Sequence, residues 1–250
     1  MNRNIFFEYV RNAPFGGRLT SKQVDGLTRI LDEWEDRGLS DDRWLAYMLS
    51  TTFWETAKTM QPVREMGGEA YLRSKKYYPW VGEGLVQVTW EANHKKFGAT
   101  KPGQLLTWPI ALKALFDGMV DGMFTGKKLS HYFNDKIDDP VGARRIINGT
   151  DKAKLLAGFH KNFLDAIRAA KEAKPEEVAH IEPVKTEDVK VSEDKGALGT
   201  VITAAGGLGG IGAFSSIDSP YALAAFALVL VAVGVGIYAY LSGKLVIKRS

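Results

Sequence analysis

The chain has 250 residues and a formal net charge of +4, long enough for one sizeable core plus appendages. Apolar residues make up 45% and charged residues 25%, the balance of an ordinary globular protein. Cysteine is absent, which excludes disulfides and thiolate metal sites and fits synthesis in a reducing compartment.

The opening MNRNIFFEYVRNAPF holds no apolar run of signal-peptide length. Thr20 and Gln23 then form a capping-box pattern. Val24, Leu27, Leu31 and Trp34 recur at helical spacing, and Gly38 follows the end. Ser40 is placed to cap a second helix, with Asp41 and Asp42 in its first turn. Leu45, Met48 and Thr52 mark the inner stripe of that helix, and Pro62 is the residue expected to break it. GLVQVTW is the one stretch with convincing period-2 alternation, a short strand or an extended loop. TWPIALKALFDGMVDGMF reads as a helix with Pro109 near its first turn. TDKAKLLAGFHKNFLDAIRAAKEA reads as another, starting near Thr150 or Asp151. The expected class is mainly α with a small β element, over residues 1–170.

The remainder changes in character. Residues 171–195 hold five lysines and eight acids and no aromatic residue, the composition of a solvated linker. Residues 196–219 form a small, Gly-rich spacer. In residues 220–243 no charge interrupts an apolar run whose core, Tyr221–Ser242, spans roughly 33 Å as a helix, about one bilayer core. A single transmembrane helix is expected there, against the alternative of a buried core helix. Lys244, Lys248 and Arg249 follow in a basic tail, 244–250, which the positive-inside rule assigns to the cytoplasm. The folded domain is thereby expected on the far side, in the periplasm, with an export route that the opening residues do not reveal. With −3 on 171–195 and +2 on 196–250, the total of +4 leaves +5 on residues 1–170.

The helical stripe 45, 48, 52 continues to Glu55. A charged carboxylate on such a face is costly to bury. Either an arginine pairs with it, with Arg64, Arg144 and Arg145 as candidates, or desolvation keeps it protonated and able to act as a general acid. Glu65 follows in a loop that Gly67 and Gly68 allow to turn back. An inverting glycosidase needs one such acid and one base, and Glu65 competes with Glu69 and Glu83 for the second role. The histidines His94, His131, His160 and His180 include no i, i+4 pair, so no catalytic metal is expected.

FWETAKTMQPVRE resembles the catalytic helix and following loop of glycoside hydrolase family 19, the chitinase and phage-endolysin family. The family's His-Glu-Thr triplet is matched by Trp54-Glu55-Thr56. Its second carboxylate, ahead of a Tyr-Tyr…Gly-Arg-Gly segment, is matched by Glu65 ahead of YYPWVGEG. Gln87-Val88-Thr89 with Asn93, then Ile146-Ile147-Asn148-Gly149 and Gly158-Phe159-His160-Lys161, continue the pattern in order across residues 44–161. The resemblance is greatest to the phage endolysins. It implies a lysozyme-like fold, Glu55 as the acid and Glu65 as the base. It also implies that Gln87, Thr89, Asn93 and Asn148 bind the glycan or hold the water. Tyr77, Tyr78 and Trp80 are candidates for sugar-facing surface. Two departures stand out: Trp54 replaces the histidine, and Glu83 replaces the arginine of Gly-Arg-Gly.

Chitin and peptidoglycan both fit the family. Membrane anchorage, a basic catalytic domain and the absence of a chitin-binding module favour peptidoglycan. The expectation is an endolysin of phage or prophage origin, anchored in the host inner membrane, that cuts the wall's β-1,4 glycan linkages without a cofactor. No basic stripe interleaved with aromatics points to nucleic acid. The rivals are a wall-binding protein that has lost catalysis, for which Glu83 is the best argument, and a holin-like or virion component.

Overall fold

The computed structural model describes residues 1–173. The chain forms helices α1 (Arg3–Asn12), α2 (Ser21–Asp36) and α3 (Asp42–Glu55), then strand β1 (Val63–Arg64) and helix α4 (Glu69–Arg73). Strand β2 (Glu83–Gly84) and helices α5 (Glu91–Lys96), α6 (Trp108–Val120) and α7 (Ala153–Glu172) follow, with 3-10 turns at Gln104–Leu106, Leu129–His131 and Gly142–Ile146. The described residues are mainly helical with one small antiparallel sheet, in which Val63 faces Gly84 and Arg64 faces Glu83. Among them no helix is long and apolar enough to cross a membrane. The expected span 220–243, the spacer 196–219, the tail 244–250 and all but the first residues of the linker lie outside the described residues.

Helix α3 is the axis of the domain. Leu45 to Phe53 are buried without interruption, the pattern of a helix enclosed on every side. It packs along α7, which in turn packs on α1. Phe53 joins the layers. Its ring lies 5.0 Å from Phe15, 4.8 Å from Phe159 and 6.0 Å from Phe163, in edge-on contacts worth about 0.5–1.5 kcal/mol each beyond their buried area. The last two turns of α3 are therefore clamped, and whatever they carry is held rigidly.

Several boundaries differ from expectation. The α2 capping box forms as read, with Thr20 accepting from Gln23 N–H and Gln23 from Thr20 N–H. Asp41, not Ser40, caps α3, accepting from Arg43 N–H at 3.0 Å. The helix ends at Glu55, before Pro62. Thr56 is buried and ties the end off by donating to Thr52 O and accepting from Met60 N–H. Ala57, Lys58 and Met60 then take positive φ, which no α-helix tolerates. Of GLVQVTW only Gly84 lies in a strand, and the rest follows the loop alternative. Leu85, Val86 and Val88 are all buried in a tight turn closed by Glu83 and Val88, so alternation in sequence does not become alternation in exposure. Helix α7 starts at Ala153, after Lys152 adopts a left-handed conformation, and runs through Glu172 into what composition assigns to linker.

Candidate active site

Glu55 is the last residue of α3 and 16% exposed. Its Oε1 accepts from the Arg144 guanidinium at 2.8 Å, and Arg144 is 3% exposed. Of the three arginines considered, Arg144 is thus the partner. The 3-10 turn Gly142–Ile146 delivers it, and its Nε donates to Asp151 O at 3.1 Å. Burial pushes the Glu55 carboxyl above the usual range. Arg144 pulls it back by charge and hydrogen bond, and the Asp151 carboxylate pushes it up again. The negative end of the α3 dipole acts in the same direction as burial. Of the two alternatives posed by helix spacing, the arginine partner is present, and burial nevertheless leaves the Glu55 carboxyl above its usual range.

Tyr47 lies two turns back on α3. Burial raises its phenol far above the ordinary value, and charges at Arg144 and Glu55 act on it. Its hydroxyl and those of Thr51 and Thr52 are buried without a hydrogen-bond partner among the described residues. Tyr47, Thr51 and Glu55 share a face at i, i+4 and i+8, so the acid terminates a polar stripe inside the core.

Glu65 is held from both oxygens. Oε1 accepts from Tyr77 hydroxyl at 2.8 Å and Oε2 from Gly82 N–H at 2.9 Å, while Glu65 N–H donates to Gly82 O at 2.6 Å. Burial, then the Glu65 contact, raises Tyr77 well above the ordinary phenol value, so it stays a donor. The competitors are occupied elsewhere. Glu69 is exposed and held below the usual carboxylate range by Tyr78 hydroxyl and Arg73, with Arg64 adding. Glu83 is 1% exposed, with both oxygens on Gly103 N–H. The Glu83 side chain is thus directed into the core.

The expected glycan-binding residues are mostly committed to the backbone. Gln87, in a left-handed conformation, donates through its amide to Val63 O at 3.0 Å and Gly84 O at 3.4 Å. A Cβ on Gly82 would sit 2.9 Å from Gln87 Oε1 and 3.4 Å from Glu65 Oε2, which brings Gln87 beside Glu65 and explains the need for glycine there. Thr89 hydroxyl donates to Gln87 O, and Asn93 amide to Thr89 O. Asn148 is exposed, its side-chain oxygen accepting from Gly149 N–H. The residue of this part of the chain that reaches Glu55 is Arg144, two positions before Ile146.

Trp90, which periodicity gave no reason to single out, is 49% exposed beside this site. Its ring stands edge-on to Tyr77 at 5.5 Å. Its backbone, φ 77° and ψ 138°, is in a region nearly reserved for glycine. Among the described residues no group of three or more His, Asp or Glu side chains could hold a metal ion. Comparison with family models, curated proteins and solved structures returned no match to the chain.

Proposed function

We propose that the chain is a glycoside hydrolase that cuts the β-1,4 glycan strands of peptidoglycan by inverting acid–base catalysis. The observation that carries this reading is the environment of Glu55. It is a carboxyl at the clamped end of the central helix, driven toward its protonated form by burial against a single arginine. A general acid for a glycosidic oxygen must hold its proton near neutral pH, and desolvation is the standard means. Glu65 is the complementary group. Two donors fix its orientation, which a base must have to aim one water at the anomeric carbon.

In the proposed step Glu55 gives its proton to the bridging oxygen as the bond to the anomeric carbon breaks. Glu65 takes a proton from the attacking water. Arg144 then stabilises the Glu55 carboxylate that remains. Trp90 and Tyr77 offer an aromatic surface beside Glu65 against which the apolar face of a sugar ring can lie. The +5 charge of residues 1–170 favours an anionic wall over neutral chitin. Anchorage of the lysis enzyme in the host inner membrane is part of the proposal and rests on the 220–243 run.

The full-length protein is expected to release reducing ends from purified peptidoglycan, and Glu55→Gln to lower that rate at least about a thousandfold. A Glu55→Gln variant with undiminished rate would remove Glu55 from the chemistry. The ion pair itself favours one other reading, a purely structural Glu55 in a wall-binding protein. Peptidoglycan pull-down with no hydrolysis by the wild type would select it.

A further inference from the structure

Beneath the turn that holds Glu65 lie two buried ionisable side chains that the proposed chemistry does not use. His94, from α5, is fully buried, with Nε2 2.8 Å from Val88 O and 3.2 Å from Val81 O. Carbonyl oxygens only accept, so Nε2 carries a proton and donates to both. Val81 and Val88 are the two ends of the turn, and the imidazole staples its neck. Nδ1 has no hydrogen-bond partner among the described residues and faces Glu83 Oε2 at 3.9 Å. Glu83, within the turn, directs both oxygens at Gly103 N–H, 2.7 and 2.9 Å away. Trp80 closes the site, its ring edge-on to His94 at 5.2 Å.

The same turn carries the Gly82 N–H that binds Glu65 Oε2 and the Gln87 amide that binds Val63 O, two residues before Glu65. Its own anchorage comes from below, through Glu83 to Gly103 and through His94 to its two ends. A two-residue antiparallel pair is too short to hold such a turn unaided. We propose that Glu83 and His94 are positioning residues for Glu65: they lock the 81–88 turn to Gly103, so that the Gly82 N–H keeps the Glu65 carboxylate in one orientation. The inference depends on the function proposed above only in naming Glu65 as the base.

The test uses the full-length protein with Glu83→Ala, Glu83→Gln and His94→Asn, reading kcat and KM on peptidoglycan and hydrogen–deuterium exchange at residues 82–88, with α3 as the internal reference. Glu83→Ala is expected to speed exchange at 82–88 and leave α3 protected. It should lower kcat at least about tenfold, with KM changed less than about twofold. Glu83→Gln keeps one oxygen to accept from Gly103 N–H and is expected to recover both readouts in part. If Glu83→Ala opens α3 as well, His94→Asn carries the test, since it removes only the hold on the Val81 and Val88 carbonyls. Unchanged exchange at 82–88 in the folded variant, unchanged kcat, or a Glu83→Gln turn as loose as that of Glu83→Ala would overturn the proposal. Absence of hydrolysis by the wild type would remove the proposed function instead. The exchange measurement needs no substrate and would still show whether the pair holds the turn.

Discussion

Arg144 opposes the very property that makes Glu55 useful. Its charge lowers the carboxyl that burial raises, so removing it leaves desolvation unopposed. Arg144→Met is therefore expected to move the alkaline limb of the pH–rate profile to higher pH, because Glu55 keeps its proton longer. The catalytic rate at the optimum should fall, since the carboxylate formed after proton transfer loses its cation. A carboxyl titration followed by carbon NMR gives the same sign without substrate. A limb that stays in place or moves to lower pH would mean that another group sets it. The arginine was legible from the sequence only as one of three. Helix spacing says that Glu55 needs a partner, but not which of several arginines the chain brings back from 89 positions further on. Glu83 was legible only as one of three candidate carboxylates, because nothing local reveals that Gly103 N–H and His94 lie beneath it.

The contact between α3 and α7 contains its own titratable group. His160 on α7 is 3% exposed, stacked on Phe133 at 5.3 Å and within 3.2 Å of Arg43 O. Burial lowers its pKa to about 4 from an ordinary 6.5. Between those values the unfolded chain binds the proton and the folded one does not. His160 thus adds stability in full above about pH 6.5, and this is lost as the pH falls toward 4, on the order of 3 kcal/mol in all. His160→Phe is expected to flatten the denaturation midpoint across that window, whatever its effect at neutral pH. An acid-side loss as large as in the wild type would sink the assignment. Elements with a strong helical period, α2 above all, were readable because burial there follows spacing. Those set by backbone strain were not. The reversal at Ala57, Lys58 and Met60, and the glycine-like conformation of Trp90, use residues that carry no turn signal. Such positions are where local preference is expected to fail near a functional site.

At the scale of the whole molecule, the charge sorting that divides the sequence at residue 171 falls within two residues of where α7 ends. The two acids nevertheless belong to parts of unequal cohesion. Glu55 is borne by a helix enclosed on all sides and clamped by aromatic rings. Glu65 is borne by a two-residue ladder and a turn held by its buried Leu85, Val86 and Val88 and by the Glu83 and His94 side chains beneath it. Local opening of so small a unit costs less than global unfolding. On warming, the base should lose its alignment while the acid is still in place. Hydrolysis is therefore expected to decline reversibly several degrees below the midpoint at which helical circular dichroism is lost, and cooling should recover it in full. Coincidence of the two curves would show that turn and core melt as one cooperative unit, and that the proposed hydrolase has no temperature at which it is folded yet idle.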